Sequence, residues 1–296
     1  MEQSKYMSVR ELVEAAINNG SKIGELVLLQ QSMSMEIPAE KLFAEMDRRL
    51  TVMSESVIEG SKPGIRSQSG LTGGDAYKLL CQIQKGKTLC GGVIASAIEK
   101  ALAVSEYNAA MGRIVASPTA GSCGILPAAI LTMTESHGVS RHDAVMALFT
   151  AAAVGMVIAN CATIAGAEGG CQAECGAASA MAAAAIVECM GGTPKQCEHA
   201  AAMALKNILG LVCDPVAGLV EIPCIKRNAG GVTGAFTAAE MALAGIESKI
   251  PCDEVILAMK RVGDSLPCAL RETADGGLAD TPTGRQLYEQ VFGKRE

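Results

Sequence analysis

The cysteines are the first residues in this chain with chemistry to offer. Cys213 and Cys224 stand beside prolines in LGLVCDPVAGLVEIPCIKRNAG (209–230), and Cys171 and Cys175 lie close together in EGGCQAECG (168–176). A thiolate is a nucleophile and a soft metal ligand. Pro215 and Pro223 fix φ and remove amide donors, while Gly210, Gly218 and Gly230 admit conformations that other residues avoid. Residues 209–230 therefore read as a shaped loop that holds two thiols and the basic pair Lys226 and Arg227. On a helix, Cys171 and Cys175 would share a face. A zinc ribbon wants two close pairs, which Cys213 and Cys224 are too far apart to supply, and compact ferredoxin spacing is missing. Spacing alone leaves two readings open, metal ligands or ordinary buried core cysteines.

Two more joints share this glycine-rich character, SGLTGGDA (69–76) and ASPTAGSCGILP (116–127). Each of the four offers freed backbone amides with hydroxyls or thiols ahead of a helix, an arrangement that holds anions. None is a Walker A loop, since no Gly-Lys-Ser/Thr follows, and none is a dinucleotide fingerprint, since no strand precedes it. Converging in space, they would make one pocket for a small anionic substrate.

The elements that must bring these joints together are helices. Ser8 and Glu11 form a capping box before VRELVEAAINN, which Gly20 stops. Pro38 opens a pattern with Leu42, Met46, Leu50, Met53 and Ile58 at helical spacing, ended by GSKPG at 60–64. Asp75 begins another helix, GGVIASAIEKALAVSEYNAAMG reads as one of about twenty residues, Ser140 and Asp143 cap a long apolar run, and Thr193, Pro194 and Gln196 cap the next. Arg113–Ala116 is a short strand-like run, with no alternation long enough for a sheet. The expected class is all-α, a single domain over 1–296 with an N-terminal helical part (1–60) and a core (61–296) that carries the joints.

Composition narrows the function. The 296 residues carry a net charge of −6, and the isoelectric point near 5.3 gives no electrostatic footprint for nucleic acid. There is no Trp, with four Phe and four Tyr against 32 Gly, which suits helices packed closely on small residues. Twelve cysteines in a chain whose N-terminus lacks an apolar signal region point to a reducing compartment, the cytoplasm. Residues 144–167 are long and nearly uncharged but rich in Ala and Gly and interrupted by Asn160, so a buried central helix is expected rather than a membrane span.

The combination SPTAGSCGILPA, AEGGCQAE and CDPVAGLVEIPCIKRN closely resembles the α chain, or α domain, of the iron–sulfur-dependent L-serine dehydratases, over about residues 10 to 285. The resemblance implies conversion of L-serine to pyruvate and ammonia and a [4Fe–4S] cluster whose three cysteine ligands fall on Cys171, Cys213 and Cys224. Cys175 matches no ligand position. An iron left without a protein ligand would act as a Lewis acid on the serine hydroxyl. On this reading Ser117, Thr119, Gly121 and Ser122 hold the substrate carboxylate, Gly73 and Gly74 line the opposite wall, and Lys226 or Asn228 orients the substrate. Some fused members end in a cysteine that occupies the free iron at rest; here the last cysteine is Cys268 and the sequence ends QVFGKRE. His137, His142 and His199 all have structural readings, so the base that removes the Cα proton is expected from a partner, a separate β chain, in a homo- or hetero-oligomer.

Two other functions fit some of these residues. A pyridoxal phosphate dehydratase could use Lys226 as its Schiff-base amine. A non-enzymatic iron–sulfur sensor would leave its cluster fully ligated.

Overall fold

Short polar side chains take the first free amides of several helices and so decide where those helices start. Ser140 Oγ accepts from Asp143 N at 3.1 Å. Thr193 and Gln196 exchange bonds reciprocally, 3.2 Å to the Gln196 amide and 2.9 Å from the Thr193 amide. At the first helix the box is half formed. Ser8 Oγ accepts from Glu11 N at 3.0 Å, but the Glu11 carboxylate turns to Met7 N instead of Ser8 N.

The structure, a computed structural model, describes residues 7–294. Its helices are α1 Val9–Asn18, α2 Ile23–Met35, α3 Ala39–Gly60, α4 Asp75–Gln84, α5 Gly91–Ala109, α6 Ile125–His137 and α7 Arg141–Cys161. They continue with α8 Gly166–Gly169, α9 Ala177–Cys189, α10 Pro194–Lys206, α11 Cys224–Leu243, α12 Cys252–Ser265 and α13 Pro282–Phe292. Among the described residues there is no strand, so the fold is all-α, as expected, and Arg113–Ala116 is irregular chain. Four residues of extended chain form no sheet without a partner segment of matching register, and among the described residues no strand pairs with them. An isolated β-bridge joins Cys213 to Arg271.

At the centre lies α9, whose residues are all buried except Cys189. It packs against α6, α7, α10 and α11. Its sequence AASAMAAAAIVEC has small side chains on every face, so neighbours approach from all sides and each contact buries little area but excludes water. The helix α7 is long and apolar enough to cross a membrane, yet 72% of its apolar window is buried inside the protein, as a central helix requires. Around this centre, α2 lies on α7 and α3 on α5. Close approach is absolute at Gly60, where a Cβ would fall 1.9 Å from the Ala103 carbonyl oxygen.

One difference from the sequence reading bears on the site. The shaped loop ends at Pro223, and Cys224 is the first residue of α11, so Lys226, Arg227 and Asn228 belong to a helix and not to the loop. At 100° per residue, Cys224, Arg227 and Asn228 share a face and Lys226 turns away from it.

Candidate active site

The four glycine-rich joints meet, and polar side chains make the junctions. Glu221, in the loop between Cys213 and Cys224, accepts from Ser69 Oγ at 2.8 Å and from Thr72 Oγ1 at 2.6 Å. Asn228 accepts from Gly124 N at 2.8 Å and donates to the carbonyls of Gly121 at 2.8 Å and Cys224 at 2.9 Å. Glu174 accepts from Thr119 Oγ1 at 2.6 Å, so it ties the segment of Cys171 to the hydroxyl-rich loop. Asn228 had a sequence expectation, as a residue orienting substrate; its amide is committed to three backbone groups and shapes the loop.

The three cysteines arrive from separate elements. Cys171 precedes a π-turn, Gln172–Gly176, that runs into α9. The buried Gln172 fastens that turn, donating to Met259 O at 2.9 Å and accepting from Gly210 N at 2.9 Å. Cys213 lies in extended chain held by Cys213 N to Leu270 O at 2.9 Å and Glu272 N to Cys213 O at 2.8 Å. Cys224 opens α11. All three are buried.

Cys213 and Cys224 both feel the charge of Cys171. Burial pushes Cys224 up to about 12 and raises Cys213 further, and the neighbouring Cys171 adds to both shifts. Cys171 goes the other way, because the Cys175 thiol bonds to its sulfur at 3.4 Å and the Arg227 guanidinium lies beside it. Among the described residues, no three His, Cys, Asp or Glu side chains converge as a single metal ion needs. Gly166 packs closely against this region, since a Cβ would lie 3.1 Å from Cys213 Sγ and 2.8 Å from Glu174 Oε2, so the wall there admits no side chain. Three soft, buried sulfur donors around a side-chain-free wall fit a [4Fe–4S] group.

Beside the thiols lies the loop 117–124. Ser122 and Cys123 are fully buried, and burial pushes the Cys123 thiol up to about 12. Thr119 Oγ1 lies 3.2 Å from Ser122 Oγ. Ser117 Oγ is buried and has no hydrogen-bond partner among the described residues. A buried hydroxyl left unpaired costs about 1–3 kcal/mol, a cost that a ligand atom bonded there would offset. Gly121 faces the Glu174 carboxylate, 3.0 Å from where a Cβ would sit. Burial raises Glu174 above the ordinary carboxylate range despite the Thr119 bond.

Gly73 and Lys226 belong elsewhere. With Arg66, Thr72, Asp75, Lys78 and Pro223 they line a surface cavity of about 430 Å³, to which neither the cysteines nor 117–122 contribute. Lys226 is ion-paired with Asp75 and its side chain is 58% exposed, a poor setting for a Schiff-base amine that must be held neutral. Gly74 N donates to the buried Glu106 at 3.1 Å, and Asp75 N and Ala76 N do the same at 2.8 and 3.2 Å. The amides of this joint thus already hold an internal carboxylate. The histidines lie as their positions suggest, His137 at the end of α6, His142 stacked on Phe43 and His199 within α10.

Nothing in the sequence singled out Glu174, Glu221 or Asp214, and Arg227 stood out only as half of the basic pair with Lys226. Their partners are remote in the chain, and only the i, i+3 relation of Cys224 to Arg227 within a helix offered a local signal.

The family model "Serine dehydratase alpha chain" matches residues 18–279, which include the three cysteines and the 117–124 loop. The chain is 53% identical over 288 residues to the probable L-serine dehydratase, alpha chain, of Bacillus subtilis (strain 168), covering 97% of this chain and 96% of that one. It is 45% identical over 280 residues to the L-serine dehydratase, alpha chain, of Peptoniphilus asaccharolyticus, covering 95% and 96%. To the longer L-serine dehydratase TdcG of Escherichia coli (strain K12) it is 45% identical over 181 residues, 60% of this chain and 40% of that protein.

Proposed function

From the premise that the chain belongs to the serine dehydratase alpha chain family and is an enzyme of the lyase class, we propose that it dehydrates and deaminates L-serine to pyruvate and ammonia at a [4Fe–4S] cluster held by Cys171, Cys213 and Cys224. The observation that carries this reading is three buried thiols from separate elements, close enough to shift one another's titration, with Glu174 tying the segment of Cys171 to the loop that holds the unpaired hydroxyl of Ser117. When bound, such a cluster supplies a Lewis-acidic iron that makes the serine hydroxyl a better leaving group.

The chain's own residues do the rest. Ser117 Oγ donates to the substrate carboxylate, and Thr119 and Ser122 set the shape of the loop around it. Asn228 fixes that loop against the first turn of α11, so the carboxylate subsite and Cys224 move as one unit. Glu174 is the ionisable side chain between the loop and the thiols. With Oε1 occupied by Thr119, its Oε2 is the atom placed to take a proton in this chain. This is an internal alternative to a base supplied by a partner. The α-chain names of the relatives support a separate β chain, which would cover the site or add to it. Twelve cysteines, all free, suit the reducing cytoplasm.

The test is purification without oxygen, an absorption spectrum, iron and sulfide counts, and pyruvate formation from L-serine, with and without the β chain. A broad brown band with serine turnover that air abolishes and iron plus reductant restores is expected. A protein that holds a cluster but makes no pyruvate with the β chain present would be a sensor; turnover without iron would refute the cluster.

A further inference from the structure

Arg227 is tied to all three cysteine segments, to those of Cys213 and Cys224 by its bonds and its place on α11 and to Cys171 through its charge. It lies one turn beyond Cys224 on the same face of α11. Its Nη1 donates to Val212 O at 2.8 Å, and its Nη2 pairs with Asp214 Oδ1 at 2.8 Å, so it grips the chain on both sides of Cys213. The guanidinium also lies beside the Cys171 sulfur. The pair is well covered, Arg227 being 16% and Asp214 4% exposed at the side chain. Asp214 in turn accepts Leu278 N at 2.8 Å, which ties the C-terminal segment to the same cation.

A carbonyl, a carboxylate and a sulfur placed around one group need a planar fork with several fixed donors. Arginine has that fork, whereas a lysine ammonium is a compact point charge on a flexible stem. An arginine needed only to neutralise Asp214 would have no reason to reach the Val212 carbonyl and Cys171 together. The three thiolates are also anions, and a buried cation beside them offsets part of their charge.

We propose that Arg227 is a positioning residue of the iron–sulfur site, fixing Cys171, Cys213 and Cys224 relative to one another and holding one positive charge against their sulfurs. This rests on the three cysteines being cluster ligands, so the experiment tests that separately. Removing the charge favours the less negative, oxidised state of the cluster, and removing the fork loosens the ligands.

The experiment uses the full chain reconstituted with iron and sulfide under anaerobic conditions, as wild type, Arg227→Gln, Arg227→Lys, Cys171→Ala, Cys224→Ala, and the exposed-charge control Arg48→Gln. Iron release to a chelator and the midpoint potential from a redox titration are measured. Arg227→Gln should release iron about tenfold faster or more and titrate at a more negative potential. Arg227→Lys should keep the potential near wild type and still release iron faster, while Arg48→Gln matches wild type in both. If Arg227→Gln is misfolded by circular dichroism, Arg227→Lys decides, and release at the wild-type rate overturns the proposal. Arg227→Gln equal to wild type in both measurements overturns it as well. Iron retained by Cys171→Ala and Cys224→Ala would instead remove the ligand reading, whatever Arg227 does.

Discussion

The sulfurs of Cys171 and Cys175 lie 3.4 Å apart, and of the two it is Cys171 that has Arg227 beside it. Cys175 is raised well above an ordinary thiol, first by its bond to Cys171 and then by burial, so it stays an S–H donor. Cys171→Ala, Cys213→Ala and Cys224→Ala should each lose the cluster and serine turnover, read as iron per chain and pyruvate produced. Cys175→Ala should keep iron and cost about 1 kcal/mol of stability. Loss of iron from Cys175→Ala with retention in Cys171→Ala would reverse the assignment within this turn.

Ser117 separates binding from stability. Its hydroxyl is buried and unpaired among the described residues, so Ser117→Ala removes an unsatisfied group and should leave the unfolding free energy within about 0.5 kcal/mol of wild type, or raise it. A hydroxyl that donates to a carboxylate is worth about 1.5–3 kcal/mol. The same variant should therefore raise KM for L-serine by about tenfold or more. An unchanged KM would take Ser117 out of the site.

Glu174→Gln is nearly isosteric and keeps an acceptor for Thr119. If the carboxylate moves the substrate proton, kcat should fall by about 10²–10⁴ with iron content unchanged. A loss below threefold in the presence of the β chain would place the base in the partner.

Far from the thiols, Glu188 gives a pH dependence. It is 3% exposed, and burial raises its carboxyl above the ordinary 4.5, with the Thr150 hydroxyl and Gly24 amide pulling the other way. Within the window from 4.5 up to that raised value the folded chain binds more protons than the unfolded chain. Its contribution is therefore fully present below 4.5 and is lost as pH rises through the folded value. Glu188→Gln should be more stable than wild type at neutral pH, and thermal unfolding from about pH 4 to about pH 8 should show a flatter profile. A variant curve parallel to wild type would show that Glu188 is not the group that titrates.

Much of the scaffold was legible because helix starts are local. Ser140 and Thr193 announce theirs within three residues, and the long uncharged run 144–167, read as a buried central helix, is largely the buried α7. The α2 helix was not legible, since its apolar residues are spread around it and its N-cap is Lys22, which has no short oxygen to offer. The site divided along the same line. Long motifs carried the three cysteines and the 117–122 loop, but treating 209–230 as one loop hid the helical geometry after Pro223. Lys226 drew attention there as an amine, whereas the face of α11 that begins with Cys224 carries Arg227. Glu174, Glu221 and Asp214 meet partners about fifty to a hundred and fifty residues away, and no local pattern encodes such a meeting.

The backbone of Cys213 is held on both sides by residues almost sixty positions later, Leu270 and Glu272. During synthesis Cys171 and Cys224 therefore leave the ribosome before the segment that sets Cys213 in place. A nascent chain stopped short of residue 270 presents its thiols without their geometry, open to premature oxidation or to stray metal. Loading of the site has to wait until that late segment has emerged, so truncated chains should differ from complete ones in metal uptake even where α9 and α11 have already formed.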